Sequence, residues 1–263
     1  MVMGADGILR YDRELLLSGA KRYATLELWE VQRYGTDSYA DAEYISVYGL
    51  RPAEWYAKGI RVLGRTAVEC TRDVLADAIG AEIAANANAA ARAGGVVVID
   101  PFAGSGNTLY WMLRHLPRAR GIGFEFDEAV FDLTKRNLSI LELPVEVVHT
   151  EFSLGLGRVT VATDDLIVAF LAPPWGDALD ASTGLDLRRT LPAIGDVVDL
   201  LLETFTNDVL CAIQIYERVE PTSLVEVEAR FDWSAFRMFD LNAPGANHGI
   251  LLAGKAGQLS RRP

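Results

Sequence analysis

Two short segments of this 263-residue chain carry residue types that can do chemistry. The first is FLAPPWGD at 170–177, in which an apolar run stops at Pro173 and Pro174 and is followed by Trp175. Neither proline has an N–H group, so a strand that enters this segment must end here and leave carbonyl oxygens without ladder partners. Those carbonyls, of Ala172 and Pro173, can accept hydrogen bonds from an amino group, and the Trp175 ring can stack on a planar ligand.

The second segment, DPFAGSGNT at 100–108, follows an apolar strand and is called the glycine turn here. Gly104 and Gly106 permit positive φ and let a ligand approach the backbone, while the next helix points free N–H groups at that ligand. A P-loop requires GxxxxGK[ST], and a dinucleotide fingerprint requires GxGxxG. No lysine follows the turn and the third glycine position is Leu109, so the turn fits neither phosphate-binding motif.

The segments around these motifs alternate between apolar strands and helices. We predict strands at 96–100, 120–126, 145–150, 165–172 and 209–216, and helices at 108–116, 127–141 and within 191–206. This alternation is typical of a parallel sheet covered by helices on both faces. The last two strands, 235–241 and 249–255, are predicted to form an antiparallel hairpin at one edge. The sequence therefore predicts a doubly wound α/β sheet of seven strands.

The first 65 residues differ from the rest, because they contain seven of the nine tyrosines together with Trp29 and Trp55. We predict a helical, aromatic-rich extension over 1–65 and a sheet domain over 66–263. The extension is either a packing appendage or a lid that supplies ring faces to a planar ligand. The stretch 66–95 is predicted as one long helix with Thr66 as its N-cap.

The amino-acid composition narrows the classes of partner that this chain is expected to bind. With 25 Lys and Arg against 36 Asp and Glu, the formal charge of −11 disfavours nucleic acid and acidic membranes, and favours a small-molecule partner. No apolar run approaches the roughly 20 residues that span a bilayer, and the first residues lack the core of a signal peptide, so we expect a cytoplasmic protein. The two cysteines and three histidines give no support for a disulfide framework, a thiol nucleophile or a metal site.

The glycine turn resembles motif I of the class I (Rossmann-like) S-adenosylmethionine-dependent methyltransferases, in the DPFxGSGxT form of nucleic-acid amino-methyltransferases. The strand ends GFEFD, HTEF and APPW are similar to later motifs of the family. The resemblance implies S-adenosylmethionine as cofactor and S-adenosylhomocysteine as product, with Glu125 on the ribose hydroxyls and Phe152 near the adenine. The cofactor-binding residues that it implies are Asp100, Pro101, Phe102, Ala103, Gly104, Ser105, Gly106, Asn107, Thr108, Glu125, Phe126, Glu151 and Phe152.

Within this family the chain is most similar to the trimethylguanosine synthase branch, whose PPWG is matched at 173–176 and whose motif IV reads [DNS]PP[YFW]. One departure is Ala172, which stands where the family has a polar residue. Asp177 is our candidate for the missing side-chain acceptor. The predicted catalytic residues are Ala172, Pro173, Pro174, Trp175 and Asp177, and the predicted substrate-binding residues are Trp175, Tyr216, Asn247 and His248.

Three hypotheses follow for the activity. The first is methyl transfer to a small planar, nitrogen-containing metabolite. The second is methylation of RNA or a nucleotide at a cap-guanine-like amino group, which predicts a local basic groove despite the net charge. The third is a catalytically silent partner subunit, which predicts cofactor binding without turnover.

Overall fold

A computed structural model describes residues 11–90, 94–180, 182–240 and 248–257. Its strands are β1 (Val96–Asp100), β2 (Arg120–Glu125), β3 (Glu146–His149), β4 (Leu166–Leu171), β5 (Leu179–Asp180), β6 (Gly184–Leu185), β7 (Val209–Tyr216), β8 (Trp233–Phe239) and β9 (His248–Lys255). Seven of them form one sheet in the order β3-β2-β1-β4-β7-β9-β8, and β5 pairs with β6 in a separate hairpin.

Ten α-helices surround these strands in the described residues. They are α1 (Arg13–Leu17), α2 (Leu28–Tyr39), α3 (Pro52–Ala57), α4 (Gly64–Glu69), α5 (Asp73–Ala90), α6 (Asn107–His115), α7 (Glu128–Ile140), α8 (Phe152–Leu156), α9 (Ile194–Thr204) and α10 (Pro221–Glu228). None of the helices in this part of the chain combines the length and the apolar character that a membrane crossing requires.

The direction of the strands matches the sequence prediction. The pairs β1–β2, β2–β3, β1–β4 and β4–β7 are parallel, whereas β9 is antiparallel to both β7 and β8. The predicted C-terminal hairpin is confirmed, although its antiparallel member lies second from the edge. The doubly wound, seven-stranded, Rossmann-like sheet is therefore confirmed.

The central strands are apolar because helices cover both faces of the sheet. Every residue of β4 is buried, and its side chains alternate between two hydrophobic clusters. On one face Val168 packs with Ile79 of α5 and Met112 of α6. On the other face Ala169 packs with Val197 of α9. Because both faces are covered, ligands can reach the sheet at the ends of its strands, and doubly wound folds bind ligands at the carboxyl ends.

The predicted long helix over 66–95 is wrong, because the chain forms α4 and α5 with a break at residues 70–72. Thr66 lies inside α4 and is buried, so it is not an N-cap. The break is stabilised from outside the segment: the Asp73 carboxylate, at the start of α5, accepts a hydrogen bond from Trp111 Nε1 at 2.7 Å. Apolar spacing continues across the break, so periodicity alone does not reveal it.

Residues 11–65, here called the N-terminal segment, contain α1, α2 and α3 and have a hydrophobic cluster of their own. Trp55 and Tyr34 are almost completely buried in it, and the Trp55 Nε1–H donates to the Ile45 carbonyl at 2.9 Å. Three residues of the sheet domain, Ala67 of α4, Tyr110 of α6 and Leu138 of α7, belong to the same cluster. The N-terminal segment is thus packed directly on the helices that flank the glycine turn.

Candidate functional site

A cleft of about 500 Å³ lies at the carboxyl ends of β1, β2, β3 and β4. Its lining includes the glycine turn, Glu125 from the end of β2, and the segment 172–175, here called the proline segment, from the end of β4. The two motifs are far apart in sequence. They meet because the strands that precede them are parallel neighbours, so their carboxyl ends share one edge of the sheet.

The glycine turn is held by a small set of hydrogen bonds. Gly104 and Gly106 have φ of +51° and +71°, the left-handed region that favours glycine. The Ala103 N–H donates to the Phe124 carbonyl at 2.9 Å, which ties the turn to β2. Thr134 Oγ1 of α7 donates to the Gly104 carbonyl at 2.8 Å. The turn is therefore fixed before any ligand binds.

Both carboxylate oxygens of Glu125 accept backbone hydrogen bonds. Oε2 accepts from the Gly104 N–H at 2.9 Å, and Oε1 accepts from the Asp127 N–H at 2.8 Å. Burial raises the pKa of Glu125, and these two N–H groups oppose that rise. Each carboxylate oxygen has a further lone pair, so the oriented carboxylate can accept two more hydrogen bonds from a pair of hydroxyl groups.

Asp100, at the end of β1, is a buried carboxyl group with 1% of its surface exposed. Its Oδ1 accepts the Phe102 N–H at 3.1 Å. Burial raises the pKa of Asp100 to about 7, and the nearby Glu125 carboxylate contributes to that rise. A cationic group bound beside Asp100 would favour its ionised form, so this end of the cleft suits a ligand with an ammonium or sulfonium charge.

The proline segment begins directly after β4, as predicted, and all four of its residues line the cleft. The Trp175 ring is stacked with the His248 imidazole, with centroids 5.5 Å apart and an interplanar angle of 22°. Tyr216 contacts both rings edge-on, at 6.3 Å from Trp175 and 6.0 Å from His248. Tyr216 and His248 are cross-strand partners in the β7–β9 register, so the sheet itself positions this aromatic group.

His248 is neutral near pH 7. Burial lowers the pKa of its imidazole, and the positive charge of Arg72 lowers it further. Arg72 lies in the break between α4 and α5. This break is close to β7, because Thr71 Oγ1 donates to Gln214 Oε1 at 3.5 Å. An uncharged imidazole can act there as a hydrogen-bond donor at one nitrogen and an acceptor at the other.

Most of the predicted site residues line the cleft, and a few do not. Gly106 and Asn107 belong to the glycine turn but are not lining residues, and Tyr216 contacts the cleft through the rings of Trp175 and His248. Asp177 is exposed on a short 3-10 helix and is outside the lining, whereas Asn247 lies outside the described residues. The predicted residues that do line it are Asp100, Pro101, Phe102, Ala103, Gly104, Ser105, Thr108, Glu125, Phe126, Glu151, Phe152, Ala172, Pro173, Pro174, Trp175 and His248.

Two of the predicted residues also have structural roles. The Glu151 carboxylate caps α8 by accepting the Ser153 N–H at 3.0 Å. Asn107 Oδ1 accepts the Tyr48 N–H at 2.7 Å, and its Nδ2 donates to the Thr71 carbonyl at 2.8 Å. Asn107 therefore joins the glycine turn to the N-terminal segment and to the helix break.

Sequence reasoning missed the wall of the cleft that α4 and the helix break supply, including Cys70 and Thr71. Loss of hydration raises the pKa of the Cys70 thiol to about 12, with the Asp73 carboxylate adding to the rise, so it is not a thiolate nucleophile. Gln214 of β7 was missed as well. No group of three or more metal-ligating side chains occurs in residues 11–90, 94–180, 182–240 and 248–257.

The aromatic side chains of the N-terminal segment do not form the described wall of the cleft. Within the described residues, none of its tyrosine or tryptophan rings is among the lining residues, whereas Arg13 and Arg65 are. Tyr48 instead contacts the rear of the glycine turn, where its hydroxyl donates to the Ser105 carbonyl. Arg65 donates to the Asp127 carboxylate at 2.7 Å and so bridges the segment to the end of β2.

Comparison with known proteins extends the description of the fold. No protein-family model matches the chain, and no curated protein matches it in sequence. The chain is similar in structure to the rRNA methyltransferase AviRa of Streptomyces viridochromogenes (17% identity, TM-score 0.48, covering 74% of this chain and 89% of that one). It is also similar to precorrin-6Y C5,15-methyltransferase of Geobacter metallireducens (10% identity, TM-score 0.46, covering 72% and 91%).

A third similar structure is a Listeria monocytogenes protein assigned to the class I S-adenosylmethionine-dependent methyltransferases (15% identity, TM-score 0.49). That match covers 71% of this chain and 62% of the Listeria chain, so this protein spans less than two thirds of that one. At such identities the similarity concerns the fold alone. The activity has to be argued from the cleft.

Proposed function

We propose that this chain is an S-adenosylmethionine-dependent methyltransferase that acts on a small planar, nitrogen-containing metabolite. One observation carries the proposal: the glycine turn, the oriented Glu125 carboxylate and the proline segment line a single cleft. The residues that resemble the methyltransferase motifs in sequence are thus brought together in space, at the sheet edge where such folds bind ligands.

The chemistry of the lining fits the cofactor. A side-chain Cβ placed on Gly104 would have no atom closer than 3.9 Å, so the turn is open to a ligand. Asp100 is placed to balance a cationic ligand, and Glu125 is placed to accept two hydroxyl hydrogen bonds. Phe126, which is 74% exposed, and Phe152 supply apolar ring surface for a base. Bound here, S-adenosylmethionine supplies an electrophilic methyl group.

The protein's task in methyl transfer is mainly to hold an acceptor atom in line with that group. The carbonyls of Ala172 and Pro173 are the candidates for accepting hydrogen bonds from an amino group of the acceptor. The Trp175 ring is the candidate for stacking on the acceptor and so setting the position of the acceptor's ring plane. Neutral Cys70 takes no part as a nucleophile. The proline segment thereby takes the role of positioning the acceptor.

Three features support a small acceptor. The net charge of −11 opposes long-range attraction of RNA. Arg65, one of the two arginines of the N-terminal segment in the lining, is paired with the carboxylates of Glu69 and Asp127. The cleft volume of about 500 Å³ is of the size that encloses a small ligand.

The test is cofactor binding followed by acceptor profiling. Calorimetry is expected to show that the purified protein binds S-adenosylhomocysteine, and incubation with methyl-labelled cofactor to transfer label into a small-molecule extract. Transfer into an RNA pool instead would support the cap-guanine-like activity, and binding without transfer to either pool would support a silent partner subunit. Absence of binding would overturn the methyltransferase proposal.

A further inference from the structure

The charges in the cleft are separated into two ends. Carboxylates at the ends of β1, β2 and β3, namely Asp100, Glu125 and Glu151, line the end assigned to the cofactor. Two further lining carboxylates, Glu69 and Asp127, are both paired with Arg65. At the other end, the described lining residues from β4, β7, β9 and the proline segment include no carboxylate, so no acidic side chain of these elements faces the acceptor.

Two buried nitrogen atoms at the acceptor end have no hydrogen-bond partner among the described residues. They are Arg72 Nη2 and His248 Nδ1. His248 lines the cleft, whereas Arg72 lies behind the lining, directly after the lining residue Thr71. No carboxylate in the described ranges forms an ion pair with Arg72. A buried guanidinium N–H and a buried imidazole nitrogen without partners are costly, so each is a place where a ligand group can be accommodated.

The N-terminal segment holds Arg72 in place. The Tyr44 ring faces its guanidinium carbon at 4.3 Å, and the Tyr44 and Tyr39 rings are stacked with centroids 3.6 Å apart and an interplanar angle of 7°. A cation on an aromatic face is attracted by the ring but not neutralised by it. The positive charge is therefore not neutralised by the Tyr44 ring, and Nη2 is the guanidinium nitrogen that has no partner among the described residues.

We propose that the methyl acceptor is a planar carboxylic acid whose carboxylate is bound by Arg72 Nη2 and His248 Nδ1, with its ring beside Trp175. The inference rests on the proposed methyltransferase function and narrows its substrate class. The planar guanidinium matches a carboxylate in geometry as well as in charge. A carboxamide of the same shape would leave the Arg72 charge without a counter-ion, so the site should discriminate strongly between acid and amide.

The experiment uses matched pairs of probes: nicotinate against nicotinamide, and 2-aminobenzoate against 2-aminobenzamide. Calorimetry on the full-length protein saturated with S-adenosylhomocysteine is expected to give at least about tenfold tighter binding of the acids, as befits a charge-assisted hydrogen bond. Arg72→Gln should abolish this preference, and Arg72→Lys should retain part of it. Arg33→Gln is the control, because Arg33 is exposed and paired with Asp37 outside the cleft lining.

Equal binding of acids and amides by the wild-type protein, or failure of both acids to bind at millimolar concentration, would overturn the inference. If the wild-type protein binds S-adenosylhomocysteine, either result contradicts only the carboxylic-acid acceptor and leaves the methyltransferase proposal intact. If the wild-type protein does not bind S-adenosylhomocysteine, both proposals are overturned. His248→Phe is a second variant, which keeps a ring stacked on Trp175 but removes Nδ1. It should weaken the binding of the acids more than the binding of the amides. Cofactor affinity and thermal melting of each variant show that it is folded.

Discussion

The imidazole of His248 covers one face of the Trp175 indole, with ring centroids 5.5 Å apart. His248 begins the antiparallel strand β9, and Trp175 follows the parallel strand β4, so the two rings approach from strands that run in opposite directions. One face of the indole is therefore occupied by the protein. The remaining surface of the indole, including its edge beside His248, is left for contacts with a planar acceptor.

Replacing Trp175 by alanine should weaken acceptor binding by roughly 1–3 kcal/mol, the range measured for stacking of a base on an aromatic side chain. The KM for the acceptor found by profiling should rise while calorimetry gives an unchanged affinity for S-adenosylhomocysteine. Trp29→Ala is the matched control, because Trp29 is 60% exposed in the N-terminal segment and outside the cleft lining. Unchanged acceptor kinetics in Trp175→Ala would show that the ring is only structural.

Removing the Glu125 carboxylate should cost about 2–3 kcal/mol of S-adenosylhomocysteine binding, as expected for loss of charge-assisted hydrogen bonds. Part of this loss comes from the Gly104 and Asp127 N–H groups, which lose their acceptor in Glu125→Ala. Calorimetry measures the effect. Glu128→Ala, an exposed carboxylate three residues on, should bind like the wild type, and an equal loss in both variants would contradict the assignment.

Cofactor binding should strengthen as the pH rises through the pKa of Asp100. Burial raises this pKa to about 7, so the carboxyl group is protonated below that pH and ionised above it. Only the ionised form attracts the α-ammonium group of S-adenosylhomocysteine, which is the one cationic group of this ligand. The affinity for S-adenosylhomocysteine should therefore increase about tenfold between about pH 6 and about pH 8. In Asp100→Asn, which keeps an acceptor for the Phe102 N–H, calorimetry should find the binding weaker and independent of pH over this range.

The Tyr48 hydroxyl should contribute about 1 kcal/mol to the free energy of unfolding, the usual net value of a buried hydrogen bond. It donates to the Ser105 carbonyl in the glycine turn, and Tyr48→Phe leaves that carbonyl without this donor. Urea denaturation measures the change. Tyr23→Phe is the comparison, because the Tyr23 hydroxyl reaches Asp127 at an exposed position and its loss should change stability by only a few tenths of a kcal/mol.

The sheet could be predicted from the sequence because its central strands β1, β4 and β7 are almost entirely apolar on both faces. The pattern at 96–100 and at 209–216 predicts β1 and β7 with their observed bounds. The site residues at the ends of these strands follow from the same logic, since parallel strands deliver their carboxyl ends to one edge. The position of a site residue that directly follows its own strand could therefore be predicted from the sequence.

The positions of residues that depend on tertiary packing could not be predicted from the sequence. The helix break at 70–72 exists because Asp73 is held by Trp111 and Gly49, two partners far away in sequence. Arg72 reaches the acceptor end only through that break. Asp177 shows the opposite case, because its position next to Trp175 predicts a site residue, whereas the 3-10 helix turns it to the exterior. Neighbours along the chain do not reveal which way a turn points a side chain.

The hydrogen bonds from Tyr48 to Ser105 and Asn107 couple ligand binding at the glycine turn to folding of the N-terminal segment, although the two regions are far apart in sequence. The glycine turn assigned to the cofactor forms part of the docking surface on which residues 11–65 pack, so order in one stabilises order in the other. By thermodynamic linkage, a ligand on the turn also acts as a ligand for folding of the N-terminal segment. Amide protons of α2 and α3, remote from the cofactor, should consequently exchange with deuterium more slowly once the turn is occupied.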